Sequence, residues 1–157
     1  MNSLLQCTTT AHGAYPFDKI RVEDFREAFH LAIEEKEQEI KDLIASEEQP
    51  TFTNTIVALE RSGAKLEWVS GVFFNLLHAA ATDELMAISQ EITPRLSALS
   101  SFITLSDPLF DRIHAVWERR ETLGLDAEDL RLLERTYESF TERGALLPAD
   151  KKERLKA

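Results

Sequence analysis

Apolar residues recur at spacings of three and four along most of the chain, the period of one buried face of an α-helix. The first stripe comprises Val22, Phe25, Phe29, Ala32, Ile33, Ile40 and Leu43. Residues between these positions are mostly Glu, Gln and Lys. This pattern predicts a long helix over residues 22–45, with one side in a core and the other in water. Residues 1–21 follow no period, which predicts an irregular N-terminal arm.

A second stripe predicts a single helix over residues 53–78. Its members are Ile56, Leu59, Gly63, Leu66, Val69, Phe73 and Leu77. Thr51 or Thr53 is expected to cap this helix, because a threonine hydroxyl can accept a backbone N–H that the first turn leaves unpaired.

A third stripe predicts a helix over residues 83–105. It consists of Leu85, Ile88, Ile92, Leu96, Leu99 and Ile103, and Thr82 stands where an N-cap is expected. Pro94 lies inside the stripe, where a proline costs about 3 kcal/mol. The stripe stays in phase across Pro94, which favours a kinked helix over two separate helices.

Two further helices are predicted over residues 108–123 and 127–143, and a short one starts near Pro148. Asp107-Pro108 is a start signal and Gly124 a stop signal, and the same holds for Asp126 and Gly144. No segment shows the sustained alternation of a strand. The sequence therefore predicts an all-α fold, an antiparallel bundle or array of five long helices plus a short C-terminal helix, with residues 22–157 as one domain.

Composition narrows the choice of partners. The chain has 157 residues, 43% of them hydrophobic, and a formal net charge of −10. That composition is typical of a soluble globular domain. The negative charge argues against nucleic acid and against an anionic membrane surface, which both require clustered Lys and Arg. A single cysteine, Cys7, excludes an internal disulfide and is compatible with a cytoplasmic location.

The order of residues from Pro50 to Leu77 is also distinctive. This stretch, P-x-F-x-N-T-I-x-A-L-E-x-S-G followed by V-F-F, resembles the N-terminal region of the thimet-oligopeptidase-like zinc metallopeptidases. A second block from Val116 to Glu134, VWERRETLGLDAEDLRLLE, is most similar to the bacterial peptidyl-dipeptidase branch of that family. The resemblance extends from about Tyr15 to Ala157.

The resemblance implies a function for the longer protein rather than for this chain alone. Enzymes of this family are zinc oligopeptidases with a deep channel, and their N-terminal helices cover the channel so that only short peptides are cut. The peptidyl-dipeptidase branch releases dipeptides from the C-terminus. By resemblance, the partners are short peptide substrates and the catalytic half of the same polypeptide. One zinc ion is expected in the parent enzyme and no cofactor in this chain.

The motif that carries this family's chemistry is absent from the sequence. Zinc peptidases of this kind need two histidines four residues apart, with a glutamate beside the first as general base. The four histidines are His12, His30, His78 and His114, and no two are four apart. We therefore expect no catalytic residue and no metal ligand in this chain, whose C-terminus within a helical pattern also suggests a piece of the enzyme.

Two histidine patterns leave open the alternative that the chain binds a metal ion. Glu27 and His30 form an E-x-x-H, the spacing used by di-iron four-helix bundles, and Asp111 and His114 have the same spacing. Each pattern also suits a histidine at a helix boundary beside a solvated carboxylate, and the sequence favours that reading. A free-standing helical protein-interaction module is the main alternative to the peptidase.

The candidate interaction residues are Phe73, Phe74, Asn75 and His78. Adjacent residues of a helix point about 100° apart, so Phe73 and Phe74 cannot both face the same core. Either both contact different neighbouring helices, or one of them lines a substrate channel or an interdomain surface. Tyr15 and Phe17 in the arm and Leu155 are further candidates for an apolar surface that a partner covers.

Overall fold

The computed structural model describes residues 2–6 and 14–156, and within them the chain is helical with no strand. The six helices are α1 (Asp24–Ala45), α2 (Ala64–Ala79), α3 (Asp83–Thr104), α4 (Asp107–Glu118), α5 (Ala127–Glu142) and α6 (Ala149–Lys156). Single 3₁₀ turns occupy Ser3–Gln6, Phe17–Lys19 and Arg120–Thr122. The predicted all-α fold of five long helices and a short sixth is confirmed. Among the described residues, no helix has the length and apolar character needed to cross a lipid bilayer.

The chain forms two compact units, the first comprising Met1–Gln38 and Gly63–Ser97 and the second Glu39–Ser62 and Ala98–Ala157. In the first unit, Phe73 packs edge-to-face against Phe25 and Phe29, with ring centroids 5.1 and 5.3 Å apart. All three rings are fully buried. Edge-to-face packing of this kind adds to the stabilisation from burial itself.

The core of the second unit is built by α4, α5 and the end of α1, together with Ile56 and Ala145. Its buried members are Ile40, Leu43, Ile56, Leu109, Phe110, Ile113, Val116, Leu133, Phe140 and Ala145.

The described part of the N-terminal arm is not wholly irregular, because two of the 3₁₀ turns lie in it. The division into an arm and one helical domain stays a prediction.

The predicted continuous helix over residues 53–78 is wrong at its first half. Phe52–Val57 is a π-helix, Ala58–Arg61 adds one α-turn, and α2 begins only at Ala64. The chain breaks because Ser62 is extended, with ψ 140°, and Gly63 has φ 76°, a left-handed conformation that favours glycine. Ile56 and Leu66 are nevertheless buried as the stripe predicts, so spacing identified the apolar face but could not detect the break.

The start of this segment is fixed by the side chain of Asn54. Its Oδ1 accepts the Thr51 backbone N–H at 2.7 Å and the Thr55 hydroxyl at 3.0 Å. Its Nδ2 donates to the Gln49 carbonyl at 3.0 Å and to a Glu48 carboxylate oxygen at 3.3 Å. The Thr51 hydroxyl in turn accepts the Asn54 backbone N–H, which completes a capping box. Of the two threonines predicted as possible caps, Thr51 is therefore the one that caps the segment.

Two arginines, one within α4 and one directly after its C-terminus, hydrogen-bond to the loop that follows α1. The Arg112 Nη1 donates to the carbonyls of Ser46 and Glu48, at 2.8 and 3.2 Å, and Arg119 donates to the Pro50 carbonyl. Arg112 is buried, and a cation is favourable beside the carbonyl end of a helix such as α1. These bonds tie the loop after α1 to α4 within the second unit.

The remaining helix boundaries mostly follow the predicted signals. The Thr82 hydroxyl accepts the Leu85 N–H at 3.3 Å, and Asp126 accepts two N–H groups at the start of α5. Gly144, with φ 100°, follows the end of α5. Helix α3 runs through Pro94 without a break.

One start signal was misplaced by a residue. Ser106, rather than Asp107, caps α4, and its hydroxyl accepts the Leu109 N–H at 3.4 Å. Serine and aspartate are about equally good caps, so the residue types alone could not separate them.

An exposed ion pair joins α1 to α3 in the first unit. The Arg26 guanidinium donates to both carboxylate oxygens of Glu91, at 2.7 and 2.9 Å. This hydrogen bond lowers the pKa of the Glu91 carboxyl below its ordinary value. A lowered folded-state pKa means that the pair stabilises the fold above the unfolded-state pKa of Glu, about 4.3, and that this contribution is lost as the pH falls through the folded-state pKa.

We predict that Arg26→Gln lowers the melting temperature of the chain slightly at about pH 7 and by less at about pH 3, because the stabilisation from the pair falls away once the pH drops below the ordinary pKa of Glu towards the lowered folded-state pKa of Glu91. Thermal unfolding followed by far-UV circular dichroism at the two pH values measures this. Arg61→Gln is the matched control, because Arg61 is also exposed and has no acidic partner among the described residues. An equal effect of Arg26→Gln at both pH values would contradict the assignment.

Candidate functional site: an aromatic face of helix α2

Helix α2 has a second stripe, turned away from its buried residues. Trp68, Gly71, Asn75 and His78 follow one another at spacings of three, four and three, so they lie on one side of the helix. The buried residues of α2 are Leu66, Val69, Val72 and Phe73, which lie on another side. We call the side formed by Trp68, Phe74, Asn75 and His78, together with Tyr15 of the arm, the aromatic face.

The structure separates the two adjacent phenylalanines. Phe73 is fully buried and belongs to the core of the first unit. Phe74 is only half-buried and packs edge-to-face on Phe73, with centroids 5.2 Å apart. Of the candidate pair, Phe74 is thus the residue that reaches the surface.

Asn75 and His78 are both exposed. The Asn75 Nδ2 donates to the Gly71 carbonyl of its own helix at 2.6 Å, and the His78 ring lies 6.5 Å from the Phe74 ring. Phe74 and His78 are four residues apart, so they present one continuous ring surface along the helix.

The arm packs on the same face through Tyr15. The Tyr15 ring meets Trp68 edge-to-face at 4.8 Å and Phe17 at 5.8 Å, and Phe17 stays 45% exposed. A Cβ added to Gly71 would lie 2.6 Å from the Tyr15 hydroxyl oxygen, so glycine at this position allows the arm to approach. The Trp68 Nε1–H is buried and has no hydrogen-bond partner among the described residues.

Neither histidine pattern that suggested a metal is assembled into a metal site. The His30 Nδ1 lies 2.9 Å from the Arg95 guanidinium, while Glu27 accepts a hydrogen bond from Asn2 at 3.1 Å. His114 stacks on Phe110 and Tyr137, with centroids 5.9 and 5.8 Å away. In the described residues, no three His, Cys, Asp or Glu side chains come together as a metal site requires. His12 and Cys7 lie outside the described residues.

These residues do not fit the zinc that the family resemblance implies. A catalytic zinc needs three protein ligands around an open position. Among the described residues, the aromatic face offers one histidine, one amide and aromatic rings. Sequence reasoning missed Trp68, although its spacing to Gly71, Asn75 and His78 is the signal that could have found it.

Comparisons with known proteins identify relatives of much greater length. The chain is 40% identical over 155 residues to the dipeptidyl carboxypeptidase of Salmonella typhimurium and 39% identical over 156 residues to that of Escherichia coli. Each match covers 99% of this chain and 23% of the relative. A thimet-like oligopeptidase of Dictyostelium discoideum is 24% identical over 139 residues, covering 86% of this chain and 21% of that protein.

No family model matches the chain. The chain spans about a quarter of the length of the curated relatives it matches. Both dipeptidyl carboxypeptidase matches extend over almost all of its residues at about 40% identity. The chain is homologous to the N-terminal part of dipeptidyl carboxypeptidase and, more distantly, to thimet-like oligopeptidase.

Proposed function

We propose that this chain is the N-terminal, channel-covering helical part of a zinc-dependent peptidyl-dipeptidase that hydrolyses short peptides in the cytoplasm and releases C-terminal dipeptides. The observation that carries the proposal is the 40% identity to dipeptidyl carboxypeptidase over 99% of this chain. In this proposal, the chain contributes shape and binding surface to the enzyme, and the catalytic residues belong to the part of the relatives outside the match.

The sequence supports this division of roles. No two of its four histidines stand four apart, so the chain contains no H-E-x-x-H from which a zinc site and its general base could be built. In the first half of the family-like stretch, from Pro50 to Gly63, polar side chains fix the backbone. Thr51 and Asn54 form the capping box at its start, the fully buried Thr55 donates to Asn54, and the Ser62 hydroxyl donates to the Leu59 carbonyl at 2.6 Å.

We assign the contact with substrate or with the catalytic half to the aromatic face. Phe74, Asn75 and His78 lie at the accessible end of that face. A half-buried ring next to an exposed amide and an exposed imidazole can pack against apolar peptide side chains and hydrogen-bond to peptide groups. Phe73 supports this surface from the core, through its edge-to-face contact with Phe74.

A chimeric enzyme tests the proposed function. We expect the Salmonella dipeptidyl carboxypeptidase to keep releasing C-terminal dipeptides when its matched region is replaced by this chain, because homologous helices should present equivalent surfaces to the rest of the enzyme. A quenched fluorescent peptide assay with zinc measures the rate. The isolated chain, assayed in the same way, should show no turnover.

The control replaces the same region by an unrelated helical domain of equal length, which should abolish activity. A chimera that folds and binds zinc but releases no dipeptide would contradict the proposal and favour a free-standing interaction module. Zinc-dependent turnover by the isolated chain would contradict the assignment of the chemistry to the rest of the enzyme.

The role of the aromatic face is tested by His78→Ala in the chimera. We predict a changed KM for short peptides with an unchanged melting temperature, because His78 is exposed and its removal leaves the core intact. His30→Ala is the matched control, since His30 is an exposed histidine of α1 in the same unit. Identical kinetics for the two variants would remove His78 from the binding surface.

A further inference from the structure

A cleft of the second unit lies between the C-terminal part of α1 and the segment that follows Thr51. Its volume is about 380 Å³, which is within the range of small-molecule sites. The lining residues are Glu39, Asp42 and Leu43 on α1 and Asn54, Ala58, Arg61 and Ser62 on the other wall. Both walls belong to the second unit, and the proposed peptidase role makes no use of the space between them.

The two walls of this cleft carry opposite charges. Glu39 and Asp42 are exposed and stand three residues apart, so they share one face of α1. Arg61 is also exposed and belongs to the other wall. The lining therefore combines two carboxylates on one side with one guanidinium on the other.

Arg61 lines the same cleft as these carboxylates without pairing with them. Among the described residues it has no acidic partner, although the chain has a formal net charge of −10. An open space thus separates the guanidinium from the carboxylates of the opposite wall. A molecule with a positive group at one end and a negative group at the other can fill that space and form a charge-assisted hydrogen bond with each wall.

The rest of the lining is apolar or already hydrogen-bonded. Leu43 is 8% exposed and Ala58 is half-buried, and together they give the cleft an apolar floor. Both polar atoms of the Asn54 side chain bond within the preceding loop, and the Ser62 hydroxyl donates to a carbonyl of its own turn. The charges of a ligand must therefore be met by the three charged residues, and its apolar part by the floor.

The volume of the cleft indicates the size of the ligand. The volume of about 380 Å³ equals that of about a dozen water molecules, at about 30 Å³ each. A dipeptide has about that many non-hydrogen atoms. A free amino acid has fewer, and it holds both of its charges on a single carbon, which does not match charges that stand on separate walls.

We infer that this cleft binds a short zwitterionic peptide of about two residues. Glu39 and Asp42 bind its ammonium, and Arg61 binds its carboxylate. An apolar side chain of the peptide lies on Leu43 and Ala58. The inference goes beyond the proposed function, because it assigns to this chain a ligand site of its own that needs neither zinc nor the rest of the enzyme.

Titration of the isotopically labelled chain with alanyl-leucine, followed by NMR of the backbone amides, tests the inference. We expect saturable shifts at Leu43, Ala58 and Ser62 with a Kd of about 1 mM, as is usual for a ligand of so few atoms. The N-acetylated dipeptide lacks the ammonium and the dipeptide amide lacks the carboxylate. Each should bind about three- to fivefold more weakly, because each loses an exposed ion pair. Free leucine should also bind more weakly.

Variants of the charged residues identify which end of the ligand each one holds. Arg61→Gln should weaken binding of alanyl-leucine by about three- to fivefold and leave binding of its amide unchanged. Glu39→Gln should weaken binding of alanyl-leucine and leave binding of the N-acetylated form unchanged. Glu60→Gln is the matched control, because Glu60 is an exposed carboxylate that does not line the cleft, and it should change neither.

Four results would each overturn the inference. One is the absence of saturable shifts, or shifts confined to the first unit. The second is equal binding of alanyl-leucine and its amide, which would reveal a site for cations only. The third is equal binding of the N-acetylated form, which would reveal a site for anions only. The fourth is equal binding of free leucine. Because the titration uses no zinc and no turnover, its outcome is independent of dipeptide release by the chimera.

Discussion

The side chain of Asn54 organises the segment on which the second unit depends. It joins the backbone of Gln49 and Thr51, the carboxylate of Glu48 and the hydroxyl of Thr55 in one hydrogen-bond network. Arg112 also holds this loop, because its guanidinium donates hydrogen bonds to the carbonyls of Ser46 and Glu48. Ile56 then enters the core directly behind this loop. Most of this network lies at the surface, with only Thr55 fully buried, and its side-chain-to-backbone hydrogen bonds favour one conformation of the loop.

This network gives the family-like stretch a physical explanation. Asn54, Thr55 and Ser62 use their side chains on neighbouring backbone or on each other, and Gly63 provides the left-handed conformation that ends the turn. A sequence motif is often taken to mark catalytic or binding residues, yet the contacts of this motif hold the backbone in place. The surface that we propose for partners lies elsewhere, on the aromatic face of α2.

How much of the fold could be predicted from the sequence depends on how far apart in the chain the interacting residues lie. The stripes of α1 and α3 are local patterns, and the core residues they named, such as Phe25 and Ile88, are buried. The break at Ser62 and Gly63 was missed because the apolar spacing continues through it. Finding the break would have required knowing that Gly63 packs under Lys36, which a Cβ would approach within 2.3 Å.

The candidate site shows the same limit. The sequence could state that Phe73 and Phe74 face different directions, but only packing decides which of them is buried. Phe73 is the buried one because Phe25 and Phe29 pack edge-to-face against its ring. The exposure of Leu146 was equally hidden, because an Ala-Leu-Leu-Pro turn gives no sign of which leucine points inward.

The central claim, that the family-like stretch is structural and the chemistry lies outside this chain, is tested most directly by Asn54→Ala. We expect this change to lower the free energy of unfolding of the chain in urea by about 1–2 kcal/mol, since it removes the Asn54 half of the capping box and its hydrogen bonds to neighbouring backbone groups. In the chimera, dipeptide release per folded molecule should be unchanged. Asn75→Ala, which removes one bond within α2, should change stability by less than about 0.5 kcal/mol. Unchanged stability together with lost dipeptide release in the Asn54→Ala chimera would contradict the account.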